Sequence, residues 1–252
     1  MQPNSDPRRQ HPSPGRQYAP GTATDSRAQL ASGVDQFMIR VNMWMAAGVG
    51  ITGIAAYATA QSTALMQMLF TGGMYWVTLF APFIFVLIFA RRLEGMRPGT
   101  AVVTFLVFAA IMGISLTPVV LFYTGASIAA TFAITAVTYG ALAVWGFFTK
   151  RDMSGWGKFL FMALVGLIVS GIAMVVMTNV FNVSVSPIFW MARSMIGVLI
   201  FAGLTAYDTQ KIKQIYLVAG GGKNLAIMGA LTLYLDFVNL FMFLLQLFGG
   251  RR

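Results

Sequence analysis

The sequence predicts an all-α integral membrane protein with seven transmembrane helices. The chain is 58% hydrophobic and only 10% charged, too few polar side chains to cover a soluble globule of 252 residues. Apolar stretches of about 20 residues, the length that crosses the hydrocarbon core as a helix, recur along it. Porin-like alternation is absent, and Ala, Leu, Gly and Met fill the runs, so helices rather than barrel strands satisfy the backbone in lipid.

Residues 1–36 are rich in Pro, Arg, Gln and Ser. They are expected to form a disordered cytoplasmic tail, with His11, the single histidine, as a solvated residue rather than a ligand. Residues 37–252 then form one seven-helix domain. The first span is placed at Val41 to Ala60, too long for a cleaved signal sequence, and therefore retained as a membrane helix. The others are placed at Met74 to Ala90, Thr100 to Val120, Ser127 to Phe148, Phe159 to Val180, Pro187 to Tyr207 and Leu225 to Phe248. Past Tyr207 the sixth helix continues as an amphipathic overhang, with Ile212, Ile215 and Tyr216 on one face and Lys211, Lys213 and Gln214 on the other. Gly220, Gly221 and Gly222 end it, and Asn224 is placed to cap the seventh helix.

The net charge of +10 raises nucleic acid as a partner, but the basic residues sit where membrane topology needs them. Arg91, Arg92 and Arg97, then Lys150, Arg151 and Lys158, then Lys211, Lys213 and Lys223 cluster at alternate loops. The intervening loops AQSTALMQMLFTGG, LFYTGAS and NVFNVSVS carry no Lys or Arg. The N-terminus and basic loops are therefore expected to be cytoplasmic, and Gly249 to Arg252 outside. A bacterial inner membrane is the expected location, with an internal membrane of a eukaryote as the alternative. The partner this pattern implies is the bilayer itself; no nucleic acid and no organic cofactor are implied. The absence of cysteine excludes disulfides and thiolate metal sites.

Gly48, Gly50 and Gly53 satisfy the spacing of a dinucleotide-binding turn, but lie inside a membrane span, where small residues let helices approach. They are read as packing residues. The triple glycine before Lys223 lacks the rest of a phosphate loop and is read as a hinge. Seventeen methionines and 21 phenylalanines point to lipid-facing and core packing.

Two of the seven acids, Asp208 and Asp236, are embedded in long apolar runs. A carboxylate near the bilayer centre costs about 2.5–3.5 kcal/mol on insertion scales and usually faces the bundle interior or a wet cavity. Asp208 lies 12 residues before Gly220 and Asp236 lies 14 after Gly222. At 1.5 Å per residue these are about 18 and 21 Å from the turn, so an antiparallel hairpin puts both carboxyl groups at one depth. Close together in a poorly solvated site they cannot both ionise cheaply, and they titrate as a coupled pair. Doubly ionised they offer oxygen ligands to a hard cation such as calcium; half-protonated they share a proton. Tyr207, Thr232 and Asn239 are the polar neighbours placed to support them. Arg193 and Gln246 fall about 40 and 36 Å from the turn, where Arg193 either snorkels to the outer interface or pairs across the hairpin near Gln246. Arg91 and Arg92 are placed either as anchors to the cytoplasmic interface or as counter-ions to Asp208.

Ala206-Tyr207-Asp208-Thr209-Gln210 and Leu233-Tyr234-Leu235-Asp236-Phe237-Val238-Asn239-Leu240-Phe241 resemble the last two helices of the transmembrane BAX inhibitor motif family, also called the Bax inhibitor-1 family, and Met112-Gly113-Ile114-Ser115-Leu116-Thr117-Pro118 is similar to its third. The resemblance covers the chain after the tail. It implies seven helices with the last one central and surrounded by the other six. It also implies a pH-sensitive calcium leak, with Asp208 and Asp236 as sensor and gate and Arg91 or Arg92 as the arginine that pairs with Asp208 when closed. Some bacterial relatives carry an acid in the second helix and an arginine ten residues after the last aspartate; this chain has no acid between Met74 and Ala90, and Gln246 at the later position.

Two other functions fit two intramembrane aspartates. An aspartyl protease needs one protonated and one ionised carboxyl group to activate water, and Tyr207-Asp208 matches half of that motif, whereas Leu233-Tyr234-Leu235-Asp236 does not match the other half. A non-conducting regulator that binds a membrane protease or a cell-death regulator is the other.

Overall fold

A computed structural model describes residues 21–222 and 224–252, with side chains from Gln29 onward except Asn179. The chain runs as α1 (Gly21–Ala60), α2 (Thr63–Phe70), α3 (Met74–Arg92), a 3-10 turn (Leu93–Gly95), α4 (Pro98–Ser115), α5 (Thr117–Phe122), α6 (Gly125–Phe148), α7 (Ser154–Asn179), α8 (Pro187–Ala219) and α9 (Leu225–Phe248). Among the described residues there is no strand, only an isolated bridge between Tyr123 and Arg251. Seven helical stretches are long and apolar enough to cross a membrane, so the protein is an all-helical, multi-pass membrane protein.

The helix of the first span starts inside the stretch expected to be a tail. Val34, Phe37, Met38, Val41 and Met45 are buried at spacings of three and four, one stripe of a helix. Phe37 stacks on Tyr216 of the α8 overhang with ring centroids 4.4 Å apart, so tertiary contact holds residues 34–41 helical outside the apolar run. Residues 1–20, with His11 and the rest of the expected tail, lie outside the described residues. The third span is broken: Pro118 has no N–H to continue the ladder, and α4 gives way to the short α5 at Leu116. The loop after α1 contains the unexpected α2, whose first turn is capped by Ser62 Oγ accepting from the Leu65 amide at 3.3 Å.

Gly220 closes α8 with φ of 64° and Gly221 follows at 89°, left-handed conformations that glycine adopts without a Cβ clash. Asn224 occupies the N-cap position of α9, but its side chain does not cap the helix. Its Nδ2 instead donates to the carbonyls of Leu93 and Met96, at 2.7 and 2.8 Å, tying the α8–α9 turn to the α3–α4 loop. Gln210 does the same for the α6–α7 loop: Nε2 donates to the Arg151 carbonyl at 2.9 Å and Oε1 accepts from the Met153 amide at 3.1 Å. The three Lys/Arg-rich connections thus lie toward one end of the bundle. At the other end Gly250 and Arg252 pair with Thr124 and Phe122, and the Arg251 guanidinium lies 5.3 Å from the Phe122 ring centroid. The chain terminus therefore shares its end with a loop free of Lys and Arg, as a seventh crossing requires.

α9 is the most buried crossing, with 67% of its most apolar window inside the protein against 17–33% for the other six. It packs against α8, α1, α6 and α4, while α3 packs chiefly on α4 and α7 on α8. Tyr234, Leu233, Leu240 and Leu245 of α9 are fully enclosed with Phe105 and Phe108 of α4. Of the glycines of α1, Gly48 lies against Phe105 and Tyr234, but Gly50 and Gly53 face open space rather than a neighbouring helix. The closest backbone approaches are made by Gly113, against the Thr52 carbonyl, and Gly146, against the Ala206 carbonyl.

Candidate functional site

Asp208 and Asp236 are 9% and 4% exposed, on the facing sides of α8 and α9. The glycine-capped turn sets the two helices antiparallel with arms of similar length, and the carboxyl groups come within hydrogen-bonding reach of each other. Asp236 Oδ2 is fully buried and, among the described residues, receives no hydrogen bond from any N–H or O–H. A charged oxygen in that state loses its water without replacement, a penalty of about 1–3 kcal/mol or more. A proton held between the two carboxyls, or a cation seated on both, removes it.

Among the described residues, the hydroxyls flanking Asp208 donate elsewhere. Thr205 and Thr209, on either side of Asp208, donate to carbonyls of their own helix, Phe201 and Thr205, at 2.8 and 2.7 Å. From α6, the Tyr139 hydroxyl donates to Asn42 Oδ1 at 3.0 Å. Asn42 in turn donates to the Met38 carbonyl at 2.9 Å. Lys211 lies one turn beyond Asp208 on α8. Among the described residues no group of three or more His, Cys, Asp or Glu gathers around a point. Calcium takes six to eight oxygens, so the pair alone is a partial ligand set that needs water or carbonyls to complete it.

The other sequence-predicted residues bond or pack elsewhere. Thr232 and Asn239 donate to the Met228 and Leu235 carbonyls of their own helix, at 3.1 and 2.8 Å. Tyr207 turns away to α7, where its ring abuts Gly157, with Lys211 Nζ 5.7 Å from its centroid. Arg91 and Arg92 are exposed at the end of α3 and make no ion pair with Asp208 in this arrangement.

Arg193 and Gln246 are not partners. Gln246 Oε1 accepts from Ser194 Oγ at 2.9 Å. Successive residues of a helix point about 100° apart, so when Ser194 faces α9 its neighbour Arg193 is carried round to α7. There the guanidinium donates to the Leu167 carbonyl at 3.4 Å beside Gly171, and lies 5.4 Å from the Phe243 ring centroid. It neither snorkels freely nor crosses to Gln246.

Sequence reasoning missed a buried polar contact among three helices. The Tyr234 hydroxyl meets Thr52 Oγ1 at 2.6 Å, and Thr52 is 2.9 Å from the Ala109 carbonyl, linking α9, α1 and α4 two residues from Asp236. The signal was available: Tyr234 is a hydroxyl in an apolar run, and such a group finds a partner when buried.

The chain is 38% identical over 235 residues to the inner membrane protein YbhL of Escherichia coli, covering 91% of this chain and 97% of that one. It is 39% identical over 234 residues to an uncharacterized protein of Rickettsia prowazekii, covering 92% and 96%. A protein of Caulobacter vibrioides is 39% identical over 252 residues, covering 94% and 98%. The family model described as "Inhibitor of apoptosis-promoting Bax1" matches residues 34–252, and the protein belongs to that family, the Bax inhibitor-1 family.

Proposed function

We propose that this protein permits slow, proton-regulated passage of calcium across a bacterial inner membrane, with α9 as the inner helix of the pathway and the other six crossings around it. The observation that carries the reading is the buried pairing of Asp208 with Asp236, one of whose oxygens has no donor. A shared proton satisfies the pair and closes the site to a cation; loss of that proton leaves two carboxylates that attract one. Two carboxylates without a full oxygen cage suit a passing ion better than a stored one. The name of the Escherichia coli relative supports the inner membrane. Arg91 and Arg92 serve as closing counter-ions only if α3 moves toward α8, and α3 is among the least buried crossings. The carboxyl pair acts here as a ligand and proton store rather than as a catalyst of peptide hydrolysis.

Calcium entry into proteoliposomes, scanned from acidic to mildly alkaline pH, tests this. Wild-type flux is expected to rise as the medium becomes alkaline, and Asp236→Asn to lose that dependence. Replacing Arg91 and Arg92 together by Gln is expected to raise flux. Flux equal to that of empty liposomes at every pH would overturn the reading and favour a non-conducting regulator.

A further inference from the structure

At the end of the bundle that carries the basic loops, α1, α6 and α8 enclose an open groove of about 370 Å³. Its walls are Leu30, Ala31 and Val34 of α1, Phe147 and Phe148 of α6, and Leu217 of α8. Two side chains of opposite charge also line it, Asp35 from α1 and Lys213 from α8, and they form no ion pair with each other. Lys213 is held in place: Nζ donates to the Phe147 carbonyl at 2.8 Å and lies 4.3 Å from the centre of the Phe147 ring. Phe148 and Leu217 are 72% and 52% exposed at the rim.

A carboxylate and an ammonium kept apart across an apolar groove complement a zwitterion whose charges are separated by a short spacer. At the depth where the helices leave the hydrocarbon, that chemistry is a phospholipid headgroup. We propose that the groove binds a phospholipid bearing a primary ammonium, its phosphate on Lys213, its ammonium on Asp35 and its acyl chain against Leu30, Phe148 and Leu217. A primary ammonium offers Asp35 three N–H donors, a trimethylated one offers none, and a glycerol headgroup offers no charge. Phosphatidylethanolamine is therefore preferred over phosphatidylcholine and phosphatidylglycerol. Lys213 lies five residues beyond Asp208 on α8, so a bound headgroup also ties the overhang of that helix to α1 and α6.

The test is the composition of lipid retained by the purified full-length protein after limited delipidation from nanodiscs of equal parts phosphatidylethanolamine, phosphatidylcholine and phosphatidylglycerol, read by native mass spectrometry. The wild type is expected to retain phosphatidylethanolamine about threefold over either competitor, the ratio of a partly exposed ion pair. Asp35→Asn should abolish the preference, and Asp35→Lys should shift retention toward phosphatidylglycerol. Asp35 is exposed, so both variants should melt like the wild type. Wild-type retention that follows the bulk composition would overturn the proposal without recourse to any variant. A preference for phosphatidylglycerol, meaning a phosphate site alone, or a preference unchanged by both Asp35 substitutions, would overturn it as well.

Discussion

Gly146→Ala should part the two helices that hold Asp208 in place. A Cβ built at Gly146 falls 2.3 Å from the Ala206 carbonyl oxygen and 2.9 Å from the Ala206 Cα. Both are backbone atoms of α8, so no side chain can swing aside, and α6 must retreat by roughly 1 Å to restore ordinary contact. Overpacking of this kind costs about 1–3 kcal/mol, and the rigidity of the obstacle puts it at the upper end. The better helix propensity of alanine returns up to about 1 kcal/mol, leaving a net loss of about 1–2 kcal/mol. For a chain of this size that is a fall in Tm of about 2–8 °C. Gly140 is the internal control: it lies in the same helix, and a Cβ there meets nothing within 4 Å. Gly140→Ala should leave Tm unchanged or raise it slightly. Thermal unfolding of both variants in detergent decides the matter. Equal midpoints would refute the close α6–α8 approach, and with it the backbone framework inferred for Asp208, two residues beyond Ala206.

Three further outcomes are expected. Thr52→Val should lower stability by about 1–3 kcal/mol by stranding the fully buried Tyr234 hydroxyl, whereas Thr52→Val with Tyr234→Phe should lose less than the sum of the single changes, as a double-mutant cycle in thermal unfolding will show. Gln246→Leu should couple to Ser194→Ala by about 0.5–1.5 kcal/mol and not to Arg193→Gln, a contrast the same type of cycle measures. The Ser154 amide and hydroxyl beside Asp152 hold its carboxyl below the ordinary value of 3.8. A depressed folded pKa stabilises the fold above the unfolded value, and that contribution is lost as pH falls through the lowered one. Protection of the Ser154 amide from hydrogen exchange should therefore decline on acidification below that ordinary value, and Asp152→Ala should show low protection at every pH.

Residues 34–41 illustrate what composition conceals. Arg40, Gln36 and Asp35 keep the stretch out of the apolar run, and its first residues read as tail, yet Val34, Phe37, Met38 and Val41 recur on one buried face, where Phe37 finds Tyr216 of the α8 overhang. The periodicity was in the sequence, but the partner lies more than 170 residues away. The glycine turn after α8 was legible for the opposite reason, because a left-handed cap is a local demand that few residues other than glycine meet. Asn224 stands between these cases. Local preference puts it at the N-cap, and the carbonyls of a loop distant in sequence draw its side chain elsewhere.

The candidate site divides in the same way. Seven crossings and their alternating basic loops followed from the sequence alone, because bilayer thickness fixes helix length and, without barrel-like alternation, the cost of unpaired backbone in lipid leaves only helices. Equal arms from the glycine turn put Asp208 and Asp236 at one depth, because helical rise is constant. Depth does not fix azimuth. Whether Arg193 or Ser194 faces Gln246, whether Asn239 turns toward Asp236 or bonds its own helix, and whether Gly50 packs or stands open depend on rotation about each axis. That rotation is set by the packing of all the helices together, and only the tertiary structure decides it.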